Sequence, residues 1–122
     1  VMNTTSPSKD IAVAAKLFRG LGDRTRLALL LALLDGEQRV TDLVQRVGTS
    51  QANVSNHLGC LRECGLIAAR PDGRQTFYRV ASDEVETLLR AAEGLLAETG
   101  DSIELAEGTD DTGKADPAGN RS

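Results

Sequence analysis

Two cysteines, Cys60 and Cys64, carry the side chains of this 122-residue sequence that are best suited to bind a soft metal ion. They are four residues apart in a segment that predicts a helix, so both thiols lie on one helix face, one turn apart. Thiolates at that spacing can converge on one soft cation. Asn53 and His57 share the same lateral stripe of the helix. Two other interpretations stay open: the thiols are small, half-buried apolar side chains, or they form a strained disulfide that acts as a redox signal.

A second face of the same helix has the character of a surface that contacts base edges. Val54, Leu58 and Leu61 define the side of the helix that should be buried. The side chains on the far side are short and polar or small: Gln51, Ala52, Ser55, Asn56 and Gly59. In the major groove of DNA, Gln and Asn suit adenine, Ser adapts to several partners and Ala can touch a thymine methyl. Thr49 and Ser50, at the start of the helix, could add phosphate contacts, so this surface predicts DNA binding.

The distribution of charge agrees with a nucleic-acid partner, although the whole chain has a formal net charge of -4. Acidic residues concentrate from Glu98 onwards, whereas the stretch from Arg39 to Arg79 contains six arginines and only three carboxylates. Binding depends on the local field where a phosphate approaches, so the acidic average does not argue against DNA. Two Phe, one Tyr and no Trp leave few platforms for stacking single strands, so a duplex is the predicted partner.

Several other classes of protein are excluded by the same composition. One His, no nucleophile beside a base and no Gly-rich phosphate loop argue against an enzyme. The longest apolar run, Leu27 to Leu34, is far shorter than the roughly 20 residues of a membrane-spanning helix. The first residues lack the apolar core of a secretory signal, and two cysteines are too few to staple a domain. A cytoplasmic protein with no membrane partner is therefore predicted.

Periodicity and capping residues predict five helices, with a β-hairpin between the fourth and the fifth. The first helix runs from Lys9 to a stop at Gly20, and the apolar run of the second marks the buried centre of the domain. The residues that cap or start the later helices are Asp23, Thr41, Thr49 or Ser50, and Ser82. Asp72 and Gly73 lie between two alternating segments, which predicts the hairpin turn.

A helix-turn-helix unit followed by a hairpin is a winged helix-turn-helix. The predicted fold class is therefore mainly α with a β-hairpin, in the order of four helices, two strands and a last helix. Residues 1–8 are expected to be a disordered leader, and residues 9–99 one domain for DNA binding and dimerisation. Residues 100–122 are expected to be an acidic, disordered tail.

The stretch from Val40 to Ile67 closely resembles the signature of the ArsR/SmtB family of dimeric, metal-responsive repressors. Leu21 to Leu27 and Gly73 to Tyr78 also look like that family, and the resemblance covers about residues 9–97. It implies a homodimer that represses transcription from an imperfect palindromic operator in double-stranded DNA. It also implies that a thiophilic metal ion releases the operator. The apolar stripe from Val85 to Leu96 is longer than one small domain can cover, so the first and last helices are the predicted dimer contact.

The family resemblance completes the predicted DNA contacts. In this family the hairpin, or wing, reaches the adjacent minor groove or backbone. The resemblance implies that Arg70 and Arg74, which flank the tip of the hairpin, make these contacts here. His57 occupies a position where the family has a histidine whether or not a metal is sensed. The full set of predicted DNA contacts is Thr49, Ser50, Gln51, Ala52, Ser55, Asn56, His57, Arg70 and Arg74.

With its two cysteines, the fourth helix resembles the CmtR-like, cadmium- and lead-sensing branch of the family. The ligands there are two such cysteines and a third from the C-terminal region of the partner subunit, so Cd(II) or Pb(II), bound to Cys60 and Cys64, is the effector implied. This sequence has no cysteine in its tail. The third ligand stays open between His57, Asp101, Glu104 and water.

Alternatives remain at this point. The protein could be a regulator that responds to oxidation of its thiols, or a winged-helix regulator whose DNA binding does not depend on a metal. A protein of a different class, a thiol metal buffer or a protein-interaction module built on a winged helix, is the other candidate. A gel shift with the promoter DNA of the protein, with and without reductant and metals, discriminates between them.

Overall fold

The computed structural model describes residues 7–100 and residue 105, so most of the predicted leader and tail, including Asp101 and Glu104, lies outside the described residues. The described part divides into two compact units, one ending at Asp83 and one beginning at Glu84. The elements are α1 (Pro7–Leu21), α2 (Arg24–Leu33), β1 (Gln38–Arg39), α3 (Val40–Val47), α4 (Gln51–Glu63), β2 (Ile67–Asp72), β3 (Gln75–Val80) and α5 (Asp83–Glu98). The predicted winged helix-turn-helix order is therefore confirmed, with one additional short strand.

Helix α2 is the centre of the first unit, as its apolar sequence predicts. The Asp23 carboxylate caps it by accepting a hydrogen bond from the Arg26 backbone N–H at 3.0 Å. Leu29, Leu30 and Leu33 are almost completely buried. Each such leucine contributes roughly 1.5–3 kcal/mol by leaving water, so α2 is a fixed support for the helices that pack on it.

The helix-turn-helix is formed by α3 and α4. Gly48 ends α3 in the left-handed region, with φ of 82°, which a glycine adopts without strain. The Ser50 hydroxyl caps α4 by accepting from the Asn53 backbone N–H at 3.1 Å, one of the two caps predicted from sequence. The prediction for α3 is wrong by two residues. Its N-cap is Arg39 rather than Thr41, because the Asp42 carboxylate accepts a hydrogen bond from the Arg39 backbone N–H.

The wing is the antiparallel pair β2 and β3, and its register brings Asp72 opposite Gln75 across the turn. The two residues of the turn are Gly73, with φ of 65°, and Arg74, so the turn lies one residue later than the predicted Asp72-Gly73 pair. The two-residue strand β1 was not predicted, and it pairs with β3 so that the sheet order is β1-β3-β2. Since β1 directly precedes α3, this pairing ties the start of the helix-turn-helix to the base of the wing.

The outer helices differ from the core helices in how much apolar surface they leave exposed. Helix α1 begins at Pro7, two residues earlier than its periodicity predicts, because proline is well suited to the first helical position. Its Ile11, Val13 and Phe18 side chains are at least 60% exposed. In the second unit, Leu95 of α5 is 64% exposed. None of the described helices is both long enough and apolar enough to cross a bilayer.

Candidate functional site

The far side of α4 forms an exposed surface that we call the reading face. Its members are Gln51, Ala52, Ser55, Asn56 and Gly59. On the opposite side Val54, Leu58 and Leu61 are at most 1% exposed, as the helical periodicity predicts. A helix held by its apolar side in this way presents short polar side chains at fixed positions, which is the requirement for contact with base edges in a major groove.

Thr49 and Ser50 lie at the N-terminal end of this helix, where phosphate contacts are predicted. The Thr49 hydroxyl accepts a hydrogen bond from the Asn53 side-chain amide at 3.1 Å, and the Ser50 hydroxyl accepts from the Asn53 backbone N–H. Both hydroxyls therefore already organise the first turn of α4. A phosphate at this end would meet the remaining free backbone N–H groups and the hydroxyl hydrogens.

The two wing arginines lie in different environments. Arg74 lies in the hairpin turn, is exposed and has no ion-pair partner within the described part of the chain. Arg70 donates two hydrogen bonds to the Glu37 carboxylate, at 3.0 and 2.8 Å, and its guanidinium lies 4.9 Å from the centre of the Phe77 ring. The hydrogen bonds from Arg70 hold the pKa of Glu37 below its ordinary value. Arg70 therefore fastens the wing to the chain before β1.

A cleft between the wing and the starts of α3 and α4 contains polar residues that the sequence prediction did not include. Beside the predicted Gln51 and Arg74, its polar lining is Arg39, Thr41, Gln75, Thr76 and Tyr78. Arg39 is fixed there, since it donates to both Asp42 oxygens at 3.1 Å and to the Gln75 side-chain oxygen at 3.3 Å. In the sequence, the excess of arginines between Arg39 and Arg79 was the only indication that Arg39 could belong to the site. The pairing of β1 with β3 is what places Arg39 in the same cleft as Arg74.

His57 is half-buried between α4 and the start of α2. Its Nδ1 lies 3.2 Å from Arg26 Nη1 and 3.8 Å from Asp23 Oδ2. Arginine can only donate, so Nδ1 is the acceptor in this contact. The carboxyl of Asp23 has a lowered pKa, chiefly because it accepts the Arg26 backbone N–H. The contacts of His57 are thus with α2, which leaves Nε2 as the nitrogen open to another partner.

Both thiols are free and line one cleft, which we call the thiol cleft. Cys60 is exposed, and Cys64 is partly covered, with its thiol donating to the Lys16 backbone oxygen at 3.3 Å. The thiol cleft is lined by Lys16, Arg19, Gly20, Arg26, Cys60, Glu63 and Cys64. Two thiolates are a suitable donor pair for a soft ion. No group of three or more His, Cys, Asp or Glu side chains in the described residues is arranged to hold a metal.

Comparison with known proteins places these features in a family. The model for "Bacterial regulatory protein, arsR family" matches residues 23–69. A probable mercury resistance operon repressor of Streptomyces lividans is 40% identical over 90 residues, which are 74% of this chain and 72% of that protein. The transcriptional regulator CmtR of Mycobacterium tuberculosis is 45% identical over 75 residues, 62% of this chain and 64% of that protein.

A solved structure extends the similarity to the fold. It is the solution structure of a homodimeric winged helix-turn-helix DNA-binding domain from Mycobacterium bovis, described as a possible ArsR-family transcriptional regulator. The two chains superimpose with a TM-score of 0.72 and 25% sequence identity, covering 80% of this chain and 90% of the other.

Proposed function

The chain belongs to the arsR family of bacterial regulatory proteins, and on that premise we propose that it is a homodimeric repressor whose operator is released when a thiophilic metal ion bonds to Cys60 and Cys64. The family consists of transcriptional regulators with a winged-helix DNA-binding fold, and this chain is such a regulator rather than an enzyme. One observation carries the proposal: the reading face and Cys60 are on the same 13-residue helix, α4, and Cys64 is the residue that caps its C-terminal end.

Operator recognition is assigned to α4 and the wing. Gln51 and Asn56 have the amide groups that pair with adenine, while Ser55 and Ala52 add an adaptable hydroxyl and a methyl. The backbone contacts are assigned to Thr49, Ser50, His57 Nε2, Arg70 and Arg74, and the cleft beside the wing adds Arg39, Thr41 and Tyr78. Such contacts set affinity and register, whereas the reading face sets sequence preference.

Dimerisation is assigned to α1 and α5. The exposed Ile11, Val13 and Phe18 of α1 and Leu95 of α5 are apolar side chains that a second subunit would remove from water. The similar domain from M. bovis is homodimeric. A two-fold axis would present two α4 helices to half-sites about 10 base pairs apart, which corresponds to an imperfect palindrome.

The effector assigned to the thiol cleft is a soft divalent ion, with Cd(II) and Pb(II) as the first candidates. When bound, the ion supplies strong bonds to sulfur, and Cys60 and Cys64 are the side chains that would hold it. The names of the mercury-operon relative and of CmtR support a thiophilic effector. His57 Nε2, Asp101, Glu104 and water remain the candidates for the next ligand.

The test follows metal binding and operator binding in one titration. Reduced protein on labelled operator DNA is titrated with Cd(II), Pb(II), Zn(II) and Ni(II) while sulfur-to-metal absorption and DNA anisotropy are recorded. The proposal expects at least one thiophilic ion to give absorption and release DNA with the same stoichiometry. The Cys60→Ser, Cys64→Ser variant should lose both responses but keep its operator affinity. A variant that still binds metal and releases DNA like the parent would contradict the proposal.

A redox-responsive repressor is the second candidate, favoured because no three His, Cys, Asp or Glu side chains among the described residues are grouped to hold a metal ion. A disulfide between Cys60 and Cys64 would require an oxidant to accept two electrons and would strain the end of α4. In the same assay, release of DNA by oxidant and recovery by reductant, without any response to metals, would assign the signal to this chemistry.

A further inference from the structure

The last turn of α1 lies against the end of α4 at an unusually close contact. The Cys64 thiol donates to the Lys16 backbone oxygen. A Cβ added to the buried Gly20 would lie 2.8 Å from Cys64 Sγ and 3.5 Å from a Leu66 methyl, and the first distance is shorter than a side chain tolerates. The sulfur therefore occupies the place that any other residue at position 20 would need, so the two helices can approach only because position 20 has no side chain.

Arg26 joins the same turn of α1 to the middle of α4. Its Nε donates to the Gly20 backbone oxygen and its Nη2 to the Arg19 backbone oxygen, both at 3.0 Å. Its Nη1 donates to His57 Nδ1 at 3.2 Å. One guanidinium thus connects the carbonyl end of α1 to the residue that follows Asn56 of the reading face. Because the group is planar and rigid, a shift of the α1 turn is transmitted to α4 rather than absorbed.

We propose that Gly20, Arg26 and Cys64 form a clasp that keeps α4 in its DNA-binding position, and that any group bonded to Cys64 Sγ opens it. The inference rests on the proposed function where it takes Cys64 as an effector ligand. When a metal bonds, the S–H bond breaks, its proton passes to solvent and an S–metal bond forms, with no change in the number of electrons. The sulfur then no longer donates to the Lys16 oxygen, so the attraction that holds the α1 turn is lost.

Opening the clasp affects both the reading face and the dimer contact, and operator binding needs both. Once the α1 turn moves away from Cys64, the Arg19 and Gly20 oxygens move with it, and Arg26 can no longer contact them and His57 together. Helix α1 is also the element that exposes Phe18 and Ile11, the side chains assigned to the dimer contact. Opening the clasp therefore changes the position of α4 within each subunit and the distance between the two α4 helices of the dimer.

The clasp is tested in metal-free, reduced protein with substitutions that add or remove bulk at the contact. Gly20→Ala places a methyl against Cys64 Sγ, whereas the matched control Gly94→Ala adds a methyl to a helix position with no atom within 4 Å. We expect Gly20→Ala to weaken operator binding by about 5- to 150-fold, the range of typical allosteric coupling, and Gly94→Ala to bind like the parent. In the double variant Gly20→Ala, Cys64→Ala the sulfur is gone, so affinity should return to that of Cys64→Ala alone.

Equal operator affinity of Gly20→Ala and Gly94→Ala would overturn the clasp, as would a double variant that binds more weakly than Cys64→Ala alone. If Gly20→Ala fails to fold, amide hydrogen exchange of residues 16–21 in Cys64→Ala decides the matter. Faster exchange than in the parent supports the clasp, and unchanged exchange refutes it. None of these measurements involves metal, so they distinguish a missing clasp from a missing metal response, which the metal titration tests separately.

Discussion

Replacing Arg74 should make operator binding less dependent on salt, whereas replacing Arg70 should leave that dependence nearly unchanged. Both arginines flank the tip of the wing, but only Arg74 is free of an ion-pair partner among the described residues. Arg70 is neutralised by two hydrogen bonds to Glu37. A cation that is already paired releases no counterion when phosphate approaches, so its removal does not alter the salt slope.

The magnitude follows from the number of phosphate contacts. Each contact contributes about 0.9 to the slope of log K against log salt, and a dimer has two wings, so Arg74→Gln should reduce the slope by about 1.8. Between about 50 and 200 mM KCl this amounts to roughly twelve-fold less loss of affinity than the parent shows. Glu37→Gln, which frees Arg70 in both subunits, should increase the slope by up to about the same amount.

Fluorescence anisotropy with labelled operator DNA across the KCl series measures these slopes directly. The Arg70→Gln variant is the matched control, since it removes the same charge from the neighbouring position in the wing. If Arg70→Gln flattens the salt dependence as much as Arg74→Gln, then Arg70 leaves Glu37 in the complex and the distinction drawn from the structure fails. A parent slope that Arg74→Gln does not change would remove the wing tip from the DNA contact altogether.

Three further predictions concern the elements that support the site. Ser50→Ala removes the cap that accepts the Asn53 N–H and should lower the free energy of unfolding by about 1 kcal/mol in urea denaturation, while an effect near zero would show that the cap is replaced. The Arg39 hydrogen bonds hold the pKa of Asp42 below its ordinary 3.8, so the stability contributed by this pair is complete above that value and is lost as the pH falls through the lowered pKa. An acid titration followed by circular dichroism should therefore show a smaller acid-dependent loss of stability for Asp42→Asn than for the parent. Phe18→Asp places a charge on the exposed apolar face of α1 and should shift the dimer towards monomer in sedimentation at micromolar concentration; an unchanged dimer would place the interface elsewhere.

Local sequence signals were sufficient for the helix-turn-helix and the faces of α4. The apolar spacing of Val54, Leu58 and Leu61 is a property of one helix, and the Ser50 cap lies three residues from its partner, so neither depends on distant parts of the chain. The hairpin turn at Gly73 is local in the same sense, although it lies one residue later than predicted. These are the features for which periodicity and capping carry physical information.

Features that depend on distant residues were not predictable in this way. The strand β1 is two residues long, too short for any alternation, and exists because β3 offers it a partner some 40 positions away. The Arg39 cap depends on that strand, which explains the misplaced start of α3. Likewise, the contact of Cys64 with Gly20 joins two segments far apart in the chain, and the Glu37 partner of Arg70 lies more than 30 residues before it.

The division of α4 into separate sides also bears on how such regulators can diversify. The side chains assigned to base edges and the two thiols assigned to the effector are different residues, while the third side, with Leu58 at its centre, is buried in the core. After gene duplication, a copy that changes Gln51 or Asn56 can acquire a new set of promoters and still answer to the same ion. The same separation offers a route to laboratory biosensors in which the reporter promoter is exchanged without rebuilding the detector.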